Sequence, residues 1–323
     1  VSKDAGRHEG EDSSDGGPVG RRRVSGAFSP ERWAFEITHV LNTVFGSDRF
    51  PVDVPAVAQE YTRQKYPGDA ITRVVGADLP GFDGALFRAP QGKQGWGIFY
   101  NTRISSPGRI NFTLAHELGH FLLHRLAHPD GIRCGEQDMV RWDSDYAQLE
   151  QQANTFAANL LMPLDDFRRR IAAGSKVDLD QISDSADRYK VSLIAATLRW
   201  LSYTERRAVL VVSREGYIMW SRASPSALKS GAFFRTSGGP IEVPSTSIVG
   251  RQDPLVDGKI GLEHGPGVWF REPVHEMTIF AEQYDFALSL LLLEDQTRSF
   301  GMDSEADSDV FDRISPEPVR RDW

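Results

Sequence analysis

The chain has 323 residues, 40% hydrophobic and 25% charged, with a formal net charge of −8. That is material for two domains, with room for a small third, and a sizeable core. The acidic balance argues against a general nucleic-acid coat or a binder of anionic membranes, leaving at most a local basic patch for either. A single cysteine, Cys134, excludes an internal disulfide and a cysteine-rich zinc module, and it fits a reducing cytoplasm.

Residues 1–28 are rich in Gly, Ser and charge, lack apolar periodicity, and are expected to be disordered. No stretch there has the apolar core of a signal peptide. Order begins at "SPERWAFEITHVLNTVF". Ser29 is placed to cap a helix, Pro30 fits its first turn, and Trp33, Ile37, Val40 and Leu41 share a face. A second helix follows in "VDVPAVAQEYTRQKY". Residues 71–99 read as short strands split by Gly and Pro, a small meander or hairpin.

Two strong helices come next. The first runs from Asn111, as a possible cap, to Arg125. The second runs from about Asp145 to Met162, with Tyr146, Leu149, Ala153, Phe156, Leu160 and Leu161 near the 3.6-residue period, and Pro163 ends it. Residues 178–202 read as helix, tight turn, helix, with Ser192 capping the second. Ile182, Ala186, Tyr189, Val191, Ala195, Leu198 and Leu201 would form the inner face. Beyond Arg206, "AVLVVS" and "YIMWSRA" suit a hairpin, "GVWFREPV" and "EMTIFAE" are strand-like, and "FALSLLLLED" reads as an apolar helix too short to span a bilayer. Residues 298–323 form an acidic tail. The expectation is a soluble cytoplasmic α+β protein with no membrane partner. Its parts are a tail (1–28), a mostly helical domain with a small β-sheet (29–175), a helix-turn-helix-like segment (176–205), a smaller α/β domain (206–297) and the acidic tail.

The chemistry lies in "FTLAHELGHFLLH". Residues four apart on a helix stack on one face, so His116 and His120 can chelate one metal ion. Glu117 is turned about 100° away. From there it can reach a water in an open coordination position, where a general base belongs. A third ligand is needed. The extended HExxHxxGxxH pattern fails, because those positions hold Leu123 and Leu126. His124 lies about 12 Å along the axis from His116, too far for bonds of about 2 Å, which leaves it a packing or supporting role. Glu150, thirty residues after His120, borders the apolar stripe of the next helix and can point inward. Asn154, one turn on, could accept a hydrogen bond from the outer nitrogen of a ligand histidine and fix its tautomer. Glu136, Asp138, Asp143 and Asp145 are rival ligands in the intervening loop. His124, His128, Tyr146 and Arg141 are candidate oxyanion partners. Two histidines and a carboxylate accept zinc or manganese.

The second helix reads "EQQANTFAANLLMP". Together with the HExxH helix, it resembles the ImmA/IrrE family of metallopeptidases, which pairs HExxH with ExxAN-x-FA-xx-LLMP. Glu150, Ala153, Asn154, Phe156, Ala157, Leu160, Leu161, Met162 and Pro163 supply every anchor. The resemblance covers residues 30–175. It implies a zincin-like, zinc-dependent endopeptidase with His116, His120 and Glu150 as ligands and Glu117 as base. It also implies a substrate class, helix-turn-helix transcriptional repressors, whose cleavage derepresses mobile-element or stress-response genes. The order peptidase, helix-turn-helix, sensor-like domain is similar to radiation-response members, whose last domain resembles GAF domains.

Other readings stand beside this one. The metal site could be structural or vestigial in a DNA-binding regulator, or in a module that sequesters a repressor without cutting it. DNA binding by residues 178–202 is open, since "SLIAATLRWL" offers only Arg199 as a basic residue, with Arg188 and Lys190 just before it. Cys134 reads as an ordinary free cysteine, and His264 and His275 as isolated histidines.

Overall fold

The computed structural model describes residues 28–135, 144–252, 256–281 and 285–295, without the side chains of 133–135 and 144–145. Most of the N-terminal tail, the acidic tail, the rival ligands Glu136, Asp138, Asp143 and Asp145, Arg141 and the Cys134 side chain lie outside that description. Helix and sheet are mixed, in line with an α+β chain. The chain divides into two compact units, 1–203 and 204–323. Among the described residues no helix is long and apolar enough to cross a membrane.

In the first unit, α1 (Pro30–Phe45) is capped by the Ser29 hydroxyl, which accepts from the Arg32 amide at 3.3 Å. Trp33, Ala34 and Ile37 are buried, whereas Val40 is exposed, so the inner stripe is narrower than the spacing suggests. Asp53 caps α2 (Val54–Lys65). A four-stranded sheet follows, made of β1 (Ile71–Ala77), β2 (Phe82–Arg88), β3 (Trp96–Asn101) and a later strand, β4 (Gly131–Gly135). It is not a meander, but β2 and β3 form the hairpin that the sequence suggested. β1 pairs in parallel with β3, β2 is antiparallel to β3 and β4, and the order is β1-β3-β2-β4.

Helix α3 (Pro107–His124) starts a turn earlier than the sequence reading, because Ser106 caps it and Pro107 occupies the first turn. Asn111 instead lies inside the helix, where its amide donates to the Lys190 carbonyl at 3.1 Å. After β4 (Gly131–Gly135) comes α4 (Ser144–Leu161), which packs along α3. The helices approach closely at Gly119. A Cβ there would stand 3.0 Å from Phe156 Cδ1 and 3.3 Å from the Ala153 backbone. This explains a glycine in mid-helix, despite its cost of about 1 kcal/mol relative to alanine.

Helix α5 (Leu164–Arg170) leads to α6 (Leu179–Tyr189), which Asp178 and Gln181 close with a reciprocal capping box. Lys190 takes the left-handed conformation at φ 51°, and Ser192 caps α7 (Leu193–Leu201). The buried face of α7 is Ala196, Thr197, Trp200 and Leu201; Ala195 and Leu198 are only half-buried, so the helix is rotated relative to the expected face. Arg199 donates to the Met162 carbonyl at 2.8 Å and to Asn159 Oδ1 at 3.0 Å. These two helices belong to the first compact unit.

The second unit is an antiparallel sheet. Its elements are β5 (Ala208–Arg214), β6 (Tyr217–Ala223), the short α8 (Pro225–Lys229), β7 (Ile241–Glu242), α9 (Ile248–Arg251), β8 (Leu262–His264), β9 (Val274–Ala281) and β10 (Phe286–Leu293). The order is β7-β6-β5-β10-β9-β8. The expected apolar helix is therefore strand β10. A central strand buried on both faces has no alternation for the eye to find. Every residue from Ala287 to Leu293 is buried. Val209, Val211, Ala287 and Leu291 pack with Ala227, Val249 and Trp269. "GVWFREPV" is mostly bends, with only its last residue, Val274, in β9. Glu276 on β9 is fully buried and accepts from the Ile248 and Val249 amides, the Trp269 indole and the Thr278 hydroxyl, tying α9 to the sheet.

Candidate metal centre

One helix brings three histidines and an acid to the site. His116, Glu117, His120 and His124 are 7%, 0%, 0% and 4% exposed. Such burial of polar groups is costly unless they are paired, so their partners decide what the site is. Helix α4 supplies partners for the histidines from across the close approach at Gly119.

His116 Nε2 lies 3.1 Å from Glu150 Oε2, and His120 Nε2 lies 3.2 Å from Glu150 Oε1. The two Nε2 atoms are 2.9 Å apart. Among the described residues, His116, His120 and Glu150 form a group that could hold a metal ion. Tetrahedral bonds of about 2.0–2.2 Å set ligand atoms about 3.3–3.6 Å apart, a few tenths of an ångström wider than the spacing seen. Two imidazoles and one carboxylate suit a divalent ion, and the three ligands of such a set leave a coordination position open.

Electrostatics point the same way. Burial opposes charge on His116, but Glu150 and Glu117 outweigh it and raise its pKa above the ordinary value. Burial lowers His120 to about 4, with the neighbouring histidines adding and Glu150 compensating only in part. Burial would raise Glu150, yet hydrogen bonds from both histidines hold it well below the usual carboxylate range. An ionised carboxylate therefore faces two imidazoles, a donor set that attracts a divalent cation.

The outer nitrogens are also engaged. His116 Nδ1 is 3.0 Å from Asn154 Oδ1, the contact expected from the one-turn spacing on α4. His120 Nδ1 is 2.9 Å from His124 Nδ1, and His124 Nε2 is 3.0 Å from Gln152 Oε1. His124 thus has both ring nitrogens turned inward and is withdrawn from the oxyanion role considered for it. Gln152 was missed in the sequence. Its signal was weak: a polar residue two places after Glu150, on a helix where the apolar stripe drew attention.

Glu117 faces β2. A Cβ on Gly84 would come within 2.7 Å of Glu117 Oε1 and 2.5 Å of Thr113 Cγ2. Gly84 and Thr113 therefore shape the pocket of this carboxylate, and neither was singled out by spacing. His128 and Tyr146 are half-buried near the ends of α3 and α4.

The family model described as the IrrE N-terminal-like domain, a peptidase family, matches residues 68–201. That stretch holds every residue of the metal group, Glu117 and Asn154, and it extends through α6 and α7. The match supports a metallopeptidase-type function. No curated protein matches the chain.

Proposed function

We propose that the IrrE N-terminal-like domain of this chain is a zinc-dependent endopeptidase whose substrate is a helix-turn-helix transcriptional repressor. The observation that carries the reading is the convergence of His116 Nε2, His120 Nε2 and the Glu150 carboxylate within 3.2 Å of one another, one residue from a buried Glu117. His116, His120 and Glu150 would hold the ion, and manganese is the alternative metal.

A bound divalent ion supplies Lewis acidity there, polarising a peptide carbonyl and acidifying water. The chain's own residues do the rest. Glu117 accepts the proton of the attacking water and returns it to the leaving amide nitrogen, so it acts first as base and then as acid. Asn154 holds His116 in place, and Gly84 leaves room for the Glu117 carboxylate. The substrate class follows from the likeness to repressor-cleaving members of the family, and cleavage would derepress the genes that the repressor holds silent.

Arg199 weighs against the reading of residues 178–202 as a DNA reader. It is the one basic residue of α7, and it is bonded to Met162 and Asn159 rather than displayed. The test uses the full chain loaded with zinc and a panel of purified helix-turn-helix repressors, with products identified by mass spectrometry. Wild type should cut one repressor at a defined bond, and Glu117→Gln should retain zinc but not cut. Cleavage that survives in Glu117→Gln overturns the assignment of the base. Tight binding of a repressor by both forms, without cleavage by either, replaces the peptidase with a sequestering module.

A further inference from the structure

His124 is one turn beyond His120 and cannot reach the ion that His116 would bind, yet it is 4% exposed and hydrogen-bonded at both nitrogens. Its contact with His120 joins two Nδ1 atoms. Such a contact needs one N–H and one lone pair. His120 Nε2 points at Glu150 Oε1 and His116 Nε2. To ligate, it must be without a proton there. A neutral His120 then carries its only proton on Nδ1, and His124 Nδ1 must accept it. His124 in turn carries its proton on Nε2, which points at Gln152 Oε1, an acceptor. Each step has one consistent direction, from His120 through His124 to a carbonyl oxygen.

We propose that His124 and Gln152 are positioning residues that lock His120 as its Nδ1–H tautomer, with Nε2 free for the metal. The inference rests on the reading that His116, His120 and Glu150 hold a metal ion. The two ligand histidines are then secured differently at Nδ1. Asn154 holds His116 directly, whereas His120 is held through a second imidazole, because α4 reaches His116 Nδ1 with a short side chain but is joined to His120 Nδ1 across His124. The arrangement also explains a third histidine at the same four-residue spacing on one helix face.

The test compares the full chain with His124→Leu, His124→Asn and Gln152→Leu. Asparagine places Oδ1 near the position of His124 Nδ1 and so keeps the acceptor; leucine removes it. Zinc affinity is measured by chelator competition, the cobalt-loaded visible spectrum reports ligand geometry, and long-range proton–nitrogen NMR of the zinc form reports the His120 tautomer. Thermal melting of the metal-free proteins confirms folding. His124→Leu should bind zinc about 10–100-fold more weakly, as for other losses of an outer hydrogen bond to a ligand histidine. His124→Asn should recover most of that loss, and Gln152→Leu should weaken binding while leaving the fold intact. Should His124→Leu fail to fold, Gln152→Leu and the tautomer measurement decide the matter. Equal zinc affinity in all four proteins overturns the relay, as does equal weakening by leucine and asparagine, which would assign His124 to packing alone. A His120 proton found on Nε2 also overturns it. Absence of stoichiometric zinc binding by wild type overturns the underlying metal reading instead.

Discussion

Gly84 on β2 stands so close to Glu117 on α3 that a methyl group on its α-carbon would lie 2.7 Å from Oε1. The strand and the helix meet there with no side chain between them. Gly84→Ala must therefore displace both the Thr113 methyl, at 2.5 Å, and the Glu117 carboxylate. A base misplaced by about 1 Å loses about 100-fold in rate. The expected outcome is a folded protein with unchanged zinc content and turnover reduced about 100-fold. Zinc analysis beside a cleavage assay checks it, and full activity would show that Glu117 has room to spare.

At Gly119 two effects compete. Alanine favours the helix by about 1 kcal/mol over glycine. Against that, its Cβ would press on Ala153 backbone at 3.3 Å and Phe156 at 3.0 Å. Backbone on the facing helix cannot swing aside, and overpacking costs about 1–3 kcal/mol. Gly119→Ala should thus lower stability by up to about 2 kcal/mol. It should also weaken zinc binding, because the same gap sets Glu150 opposite His116 and His120. Urea unfolding and chelator competition measure the two effects; a stabilised variant would mean that α3 and α4 can part without cost.

The site was legible because its signals are local. A four-residue spacing stacks His116 on His120 whatever the rest of the chain does, and an apolar stripe sets which side of α4 faces inward. The four-residue spacing that stacks His116 on His120 also stacks His124 on His120, a contact that a search for ligands alone passes over. The sheets were harder to read. Parallel pairing of β1 with β3 is a property of distant segments, and no residue of "ITRVVGA" announces it. Strand β10 went astray for a different reason: burial on both faces removes alternation, and Leu-rich runs favour the helical reading when length alone decides. Thr113 and Gly84 carry no motif and become visible only when strand and helix are brought together.

In the second unit, Glu276 is a buried carboxylate that accepts from two backbone amides at the start of α9, the Trp269 indole and the Thr278 hydroxyl. His264 Nε2 lies 2.7 Å from it. Glu276→Ala would strand these donors, each at a cost of about 1–3 kcal/mol. With four donors stranded, the expected result is a loss of at least about 4 kcal/mol from this unit. Zinc affinity should stay unchanged, since the metal group lies in the first compact unit. Calorimetric melting with zinc titration tests both halves, and an unaltered melting profile would remove Glu276 from its structural role.

Metal binding should depend on pH with a sign set by His116. Its folded pKa is raised above the ordinary histidine value, chiefly because Glu150 and Glu117 outweigh burial. In the metal-free protein the stabilising charge pair is therefore complete below the unfolded pKa of about 6.5 and is lost as pH rises through the folded value. His120 acts oppositely. Its pKa is lowered to about 4, so acidification between about 6.5 and 4 protonates the unfolded chain first and destabilises the fold. Below the folded pKa of His116 zinc must displace its proton, whereas Glu150 is already ionised. Zinc affinity should then climb about tenfold per pH unit up to the folded pKa of His116 and level off above it, with about one proton released per ion below that point. Calorimetry in buffers of different ionisation enthalpy counts the proton directly. Glu150→Gln should bring the His116 pKa back toward its ordinary value and shift the levelling point to lower pH, while weakening zinc binding at every pH. An affinity that does not change with pH below that point would mean that His116 is not a ligand.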